Sequence, residues 1–287
     1  MNNELLRNIY LKSTLLGKSA PEAKEAHDML AGKSGRDAND ALFICEGLWA
    51  AEKLLARKLR IVSVYYNSEY FSPSIGRCTE SELKRLGLLA DAAEHVYAVS
   101  SKVCAYISDR DGADVCFIVA EMPAARLEDI ELADNMLAIV LDGQEQPGNV
   151  GTILRSLDAA GGSFAVMTNR RVRLTHPRLI RASLGSAFML PVPELPIEAL
   201  IDWLTANSFR IVLTDLQATQ NFCDIPAGGR VAVVAGNEHS GISPIWRTLP
   251  QAEPVIIPML GSVESLNVGF ASTLVAYNIG LRQKGLM

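Results

Sequence analysis

Asn149 and Arg155 lie six residues apart in the stretch DGQEQPGNVGTILR, residues 142–155, and together they could hold an anion. The guanidinium is planar, stays protonated and matches a phosphate or carboxylate. Asn149 stands where a strand turns into a helix, and the mouth of a helix is where polar ligands gather. The competing reading is a strand, a turn capped by Asn149 and a surface arginine. Two further stretches carry similar groups. In VAVVAGNEHSGIS, residues 231–243, Gly236 and Gly241 permit a backbone that wraps a ligand closely, and Glu238 places a charge beside them. Taken alone, this is a tight turn. In the stretch 255–283, Ser265 and Asn267 precede a helical run, where they can orient a ligand or, for Ser265, cap the helix.

A fourth group is purely basic. Arg170, Arg171, Arg173, Arg178 and Arg181 fall within a window, Asp158 to Glu194, that has no acidic residue between its ends. On a chain of net charge −5 this is a local positive patch, able to meet RNA phosphates or to form a solvated face.

Composition sets the bounds. The chain has 287 residues, enough for two domains, and 49% hydrophobic against 21% charged residues makes it globular. The first 20 residues include Glu4, Arg7, Lys12 and Lys18, which excludes a plain signal peptide, and no run reaches the length of a membrane span. Five scattered cysteines without a C-x-x-C spacing suggest neither a metal site nor a disulfide framework, so a cytoplasmic location is expected.

The elements that must position these groups follow from periodicity. Residues 4–16 and 21–30 read as helices, the second capped by Ser19, and residues 32–39 as a polar turn. Residues 42–45, 60–66, 95–99 and 115–120 read as strands, with a capping box at Thr79 and Glu82 opening a helix to Leu89. This makes residues 1–122 a smaller α/β domain, and the acidic stretch 123–135 reads as a linker. From 136 to 287, strands are expected at 138–141, 164–167, 211–214, 231–235 and 255–257, with helices between most of them. Continuous apolar strands of this kind belong to a parallel sheet covered on both faces, and ligands bind at the carboxyl ends of such strands. The polar stretches named above follow those ends.

Taken together and in this order, the three stretches resemble the motifs of the SpoU/TrmH family of SPOUT RNA 2′-O-ribose methyltransferases. The resembling residues are Asn149-x-Gly151-x-x-x-Arg155, Gly236-Asn237-Glu238 before Gly241, and Ile257-Pro258-Met259 leading to Ser265-Leu266-Asn267-Val268. Two positions depart from the usual pattern: Gly269 follows Val268 where serine is frequent, and His239-Ser240 stands where glycine or lysine is common. The first domain is weakly similar, through Phe43 to Gly47, to a ribosomal-protein-like RNA-binding module.

The resemblance implies an S-adenosyl-L-methionine site in a C-terminal trefoil knot, with Gly236, Asn237, Ile257, Met259 and Leu266 at the cofactor. It implies Asn149, Arg155, Glu238, Ser265 and Asn267 as the catalytic group, the five arginines on RNA, no metal, and a homodimer in which Arg155 serves the partner's cofactor. Ribosomal RNA is the favoured substrate, because a separate RNA-binding domain precedes the catalytic one. Transfer RNA, or a silent RNA-binding dimer of the same fold, are the alternatives. An NAD-dependent dehydrogenase is excluded, since no G-x-G-x-x-G follows a strand.

Overall fold

The computed structural model describes residues 2–33, 41–75, 77–108 and 114–287, so most of the expected turn at 32–39 lies outside the described residues. The described chain forms two compact units. One is drawn from Met1–Pro123 with Thr175–Arg181, the other from Ala124–Leu174 with Ala182–Met287.

The first unit runs α1 (Asn2–Lys12), β1 (Ser13–Leu16), α2 (Pro21–Leu30), β2 (Leu42–Glu46), α3 (Ala51–Ala56), β3 (Ile61–Asn67), α4 (Glu80–Ala92), β4 (Ala93–Val99), α5 (Ser101–Ser108) and β5 (Cys116–Glu121). Its sheet has the order β1-β4-β3-β5-β2, parallel from β1 to β3 and antiparallel beyond. Ala23, Ala26 and Met29 of α2 with Val103, Cys104 and Ile107 of α5 cover one face, against Ile44, Tyr65, Val99, Phe117 and Val119.

Two expectations fail here. The helix expected over 4–16 ends at Lys12, because Ser13 to Leu16 pair in parallel with Val96 to Val99 of β4. Tertiary pairing overrides the local helical pattern at an end where Ser13 and Thr14 favour it least. Ser19 does not cap α2, which starts after Ala20 with Pro21 in its first turn and has no side-chain cap. The capping box of α4 is present: the Glu82 N–H donates to Thr79 Oγ1 at 3.2 Å and the Thr79 N–H to Glu82 Oε2 at 2.8 Å.

The second unit runs β6 (Met136–Asp142), α6 (Pro147–Ala159), β7 (Phe164–Thr168), α7 (Pro177–Ser183), α8 (Ser186–Met189), α9 (Ile197–Ala206), β8 (Arg210–Thr214), β9 (Gln220–Asn221), β10 (Arg230–Ala235), α10 (Pro244–Arg247), β11 (Ala252–Ile256) and α11 (Val268–Gln283), α7 starting within the residues that belong to the first unit. Its six strands are all parallel, in the order β7-β6-β10-β8-β11-β9. All seven residues of β6 are buried, as a strand covered on both faces requires.

Leu200, Ile201 and Leu204 of α9 pack with Phe164, Phe209 and Trp246 over one face. Leu127, from the stretch expected to be a linker, joins that core. Helices α6 and α11 pack together over the other face. Gly280 permits their close approach, since a Cβ there would lie 2.3 Å from the carbonyl oxygen of Ala160. The strand order brings the carboxyl ends of β6, β10, β8 and β11 side by side, and the polar loops that follow them meet there.

Candidate active site

The loop after β6 is fixed by buried polar groups. Asp142, 1% exposed, accepts at Oδ1 from Asn169 Nδ2 (2.8 Å) and Ser243 Oγ (3.0 Å), and at Oδ2 from the Ser243 N–H (2.8 Å) and Trp246 Nε1 (3.2 Å). One carboxylate thus ties the ends of β6 and β7 to the segment that follows β10. Charge-assisted bonds of this kind are worth about 1.5–3 kcal/mol each. Gln144 donates its amide to the carbonyls of Ala235 (3.2 Å) and Gly236, which joins the same loop to the end of β10. Neither residue was singled out by sequence reasoning. Asp142 opens the first stretch, but nothing in the sequence revealed that its partners lie 27 and about a hundred residues away.

The loop after β10 closes on itself and on α6. Asn237 Oδ1 accepts from the N–H groups of His239 and Ser240, both at 2.9 Å, and the backbones of Asn237 and Gly241 exchange two bonds at 2.8 and 3.0 Å. Both residues of the His239-Ser240 departure therefore give their N–H to this turn. Glu238 reaches the first turn of α6. Its carboxylate accepts from the N–H groups of Glu145 (3.0 Å) and Gln146 (3.1 Å) and from Asn149 Nδ2 (2.9 Å). Asn149 Oδ1 in turn accepts from Asn267 Nδ2 at 3.1 Å. Glu238, Asn149 and Asn267, from three stretches spread over 118 positions of the chain, form one hydrogen-bonded line.

Two capping assignments change. Asn149 lies inside the first turn of α6, which begins at Pro147, so its amide is free for Glu238 and Asn267. Asn267, not Ser265, caps α11, accepting from the Gly269 N–H at 2.9 Å. The glycine after Val268 fits the crowding there: a Cβ on Gly269 would meet Asn267 Oδ1 at 3.0 Å and Thr152 Cγ2 at 3.5 Å.

Burial pushes the Glu238 carboxyl up, but the N–H of Glu145 and the Asn149 amide outweigh it and leave it below its ordinary value. Because the folded value is depressed, this contribution to stability is complete above the unfolded pKa of about 4.3 and is lost as pH falls through the folded one. Glu238→Gln is expected to cost about 1–3 kcal/mol at neutral pH and to flatten the acid side of the stability profile. Thermal melts from about pH 7 down to about pH 3 check this, since that interval contains the transition. A variant profile parallel to the wild type would mean that the carboxylate contributes nothing to folding.

These loops enclose a cavity of about 400 Å³. Its lining includes all five residues expected at a cofactor, Gly236, Asn237, Ile257, Met259 and Leu266, together with Glu238, Ser265 and Asn267. Thr214, Asp215 and Leu216, at the end of β8, also line it and were not anticipated. Among the described lining residues the only carboxylates are those of Asp215 and Glu238, and none is lysine or arginine. A nucleoside carrying a sulfonium fits this chemistry: the volume suits a small organic ligand, and the charge of the wall suits a cation. No group of three or more His, Cys, Asp or Glu placed to hold a metal occurs among the described residues.

Arg155 is exposed on α6 and does not line the cavity. The five arginines of the basic window are divided between the units, Arg170, Arg171 and Arg173 in the second and Arg178 and Arg181 in the first. Acids from outside the window or at its rim pair with three of them: Glu194 with Arg170 (3.0 Å), Glu145 with Arg171 (3.4 Å) and Glu46 with Arg181. The Arg170 and Arg171 pairs are exposed on both sides and worth roughly 0–1 kcal/mol, so they yield easily to a phosphate.

Comparison with known proteins places this geometry. Residues 136–277 match the model of the SpoU rRNA Methylase family. The chain is 34% identical to the 23S rRNA (uridine(2479)-2′-O)-methyltransferase of Streptomyces viridochromogenes, over 58% of this chain and 59% of that one. It is 30% identical to a putative TrmH family tRNA/rRNA methyltransferase of Staphylococcus saprophyticus, over 62% of this chain and 68% of that one. A crystal structure of an RNA 2′-O ribose methyltransferase superimposes with a TM-score of 0.77 at 28% identity, covering 95% of this chain and 100% of the other. With its three motifs gathered at the carboxyl ends of one parallel sheet, the chain belongs to the SpoU/TrmH family of RNA methyltransferases.

Proposed function

We propose that this protein transfers a methyl group from S-adenosyl-L-methionine to a ribose 2′-hydroxyl of ribosomal RNA. The observation that carries the reading is the line Glu238–Asn149–Asn267 running along a cavity lined by the five residues expected at the cofactor. The family supports RNA as substrate, and a relative named for 23S rRNA favours ribosomal RNA over transfer RNA.

The cofactor supplies an electrophilic methyl on a sulfonium, and the transfer is an in-line displacement that depends on placing two groups. Gly236, Asn237, Ile257, Met259 and Leu266 hold the cofactor. Glu238 holds the Asn149 amide in one orientation, and Asn149 does the same for Asn267, so both present fixed polar groups to the substrate ribose. Ser265 lines the same wall and orients the ribose. Arg155 cannot take the hydroxyl proton, because its guanidinium stays charged. It holds the neighbouring phosphate and stabilises the developing alkoxide, while a phosphate oxygen or a water accepts the proton.

The assembly is proposed to be a homodimer. Leu260 is 98% exposed and Phe270 65%, and with Val263 and Leu274 they leave an apolar surface on the cavity loop and on α11 that a second copy would cover. Arg155 of one copy would then serve the cavity of the other.

The C-terminal backbone is proposed to be knotted. Support comes from the end of α11, where Arg282 donates to the carbonyls of Cys223 (3.1 Å) and Ile225 (2.7 Å) and Gln283 to those of Ala227 and Gly229, both at 2.9 Å. The first unit is proposed as an RNA-binding domain, assisted by Arg170, Arg171, Arg173, Arg178 and Arg181. Among the described residues no helix is long and apolar enough to cross a membrane, and a cytoplasmic site of action is proposed.

Mapping ribose methylation in total RNA from cells with and without the gene tests the function. The expected result is the loss of one 2′-O-methyl in ribosomal RNA. Loss in transfer RNA alone would move the substrate, and an unchanged map would leave only an RNA-binding role.

A further inference from the structure

Asp215 follows β8 directly, and its side chain is 8% exposed. Arg247 Nε donates to Oδ2 at 2.9 Å, and the N–H of Gln217 donates to Oδ1 at 3.0 Å. A carboxylate has about four acceptor positions, so two remain on a group that lines the cavity. Glu238, the other acid of the lining, already accepts three bonds from its own chain. Burial pushes the Asp215 carboxyl up, and Arg247 with the Gln217 N–H more than reverses this, so the group is ionised at neutral pH.

Its position says which part of a ligand it meets. β10 separates β8 from β6, and strands lie about 4.8 Å apart, which puts Asp215 on the order of 10 Å from the Asn149 side of the cavity. The reacting methyl must face Asn149 and Asn267, where the substrate ribose enters. The wall at Asp215 therefore borders the non-reacting part of the cofactor.

We propose that Asp215 accepts a hydrogen bond from a donor on the non-reacting part of the S-adenosyl cofactor, a ribose hydroxyl or the α-ammonium, and that Arg247 is the positioning residue that fixes the carboxylate. This rests on the cofactor reading given above. Buried, pre-oriented carboxylates discriminate strongly for ligands that carry the matching donor, because a ligand without it leaves the acceptor unpaired.

Calorimetry with S-adenosylhomocysteine and with 5′-methylthioadenosine, which keeps the ribose and lacks the amino acid, tests the proposal. Wild-type protein must bind S-adenosylhomocysteine; failure there sinks the cofactor reading, not the role of Asp215. Asp215→Asn is expected to weaken that binding by about 10- to 100-fold, with little change in Tm, since an amide oxygen still accepts from Gln217. An equal loss for both ligands identifies the ribose hydroxyl, and a loss confined to S-adenosylhomocysteine identifies the ammonium. Wild-type affinity in the variant overturns the proposal. Arg247→Ala should weaken binding less, and adding it to Asp215→Asn should cause no further loss, because it acts through the same carboxylate. Additive losses would overturn its positioning role. If Asp215→Asn does not fold, Arg247→Ala decides alone, and unchanged affinity there counts against the proposal.

Discussion

Arg155→Ala is expected to lower methyl transfer by about two to four orders of magnitude while changing affinity for S-adenosylhomocysteine by less than about twofold. The asymmetry follows from position. Arg155 is exposed on α6, two turns beyond its start, and lies outside the cavity that holds the proposed cofactor residues. Removing it leaves no buried group unpaired, so folding should be unaffected within about 0.5 kcal/mol. What disappears is a fixed positive charge where the alkoxide develops and where the adjoining phosphate must be held. Single-turnover methylation of an RNA substrate, with calorimetry on the same preparation, separates the two effects. A normal rate would remove Arg155 from the mechanism, and a parallel loss of cofactor affinity would move it into the cofactor site.

The same variant probes the dimer. Asn267→Ala removes the cap of α11 and the bond to Asn149 within one chain. If each site draws Arg155 from the other copy, heterodimers of the two inactive variants contain one site with both residues native and should recover activity. Heterodimers that remain inactive while both chains stay folded would place Arg155 in the service of its own cavity.

How much of this was legible in the sequence depends on how local the cause was. The strands of the parallel sheet were readable because a strand buried on both faces is an unbroken apolar run, as in residues 136–142. The capping box at Thr79 was readable because its partners are three residues apart. The strand β1 was not, because its reason to exist is β4, about eighty residues away. The site shows the same division. Asn149, Glu238 and Asn267 were named from three motifs, but a motif does not say that one amide bridges the other two, and both capping roles were assigned to the wrong residues. Asp142 and Asp215 escaped because a carboxylate before a turn is ordinary in sequence. Only the fold shows that each meets a partner, Trp246 and Arg247, on or beside α10. The arginine window looked unopposed because its acids, Glu145, Glu194 and Glu46, come from outside it or from its rim.

Gly236→Ala is expected to abolish measurable binding of S-adenosylhomocysteine, a loss of at least about 100-fold, on a protein that still folds. A Cβ at this position would stand 2.4 Å from the carbonyl carbon of Gly241 and from the nitrogen of Ile242, and 2.7 Å from the Gly241 oxygen. These are backbone atoms, so no change of rotamer relieves the overlap. One of two segments must move. The first is held by β10, paired on both sides and buried from Val231 to Ala235, and by the Gln144 amide on the carbonyls of Ala235 and Gly236. The second is a loop outside the sheet, closed by two backbone bonds between Asn237 and Gly241 and held by polar contacts, Glu238 on the start of α6 and Ser243 on Asp142, with Ile242 in the core. The loop therefore yields. Its displacement costs about 1–3 kcal/mol, as overpacking does elsewhere, and carries Glu238 and the cavity wall away from their partners. Gly228→Ala is the matched control, since a Cβ there meets nothing within 4 Å. Calorimetry and thermal melts on both variants give the answer. The control should behave as wild type, and Gly236→Ala should lose the ligand with a modest fall in Tm. Wild-type affinity in Gly236→Ala would mean that the loop after β10 does not form the wall of the cofactor site.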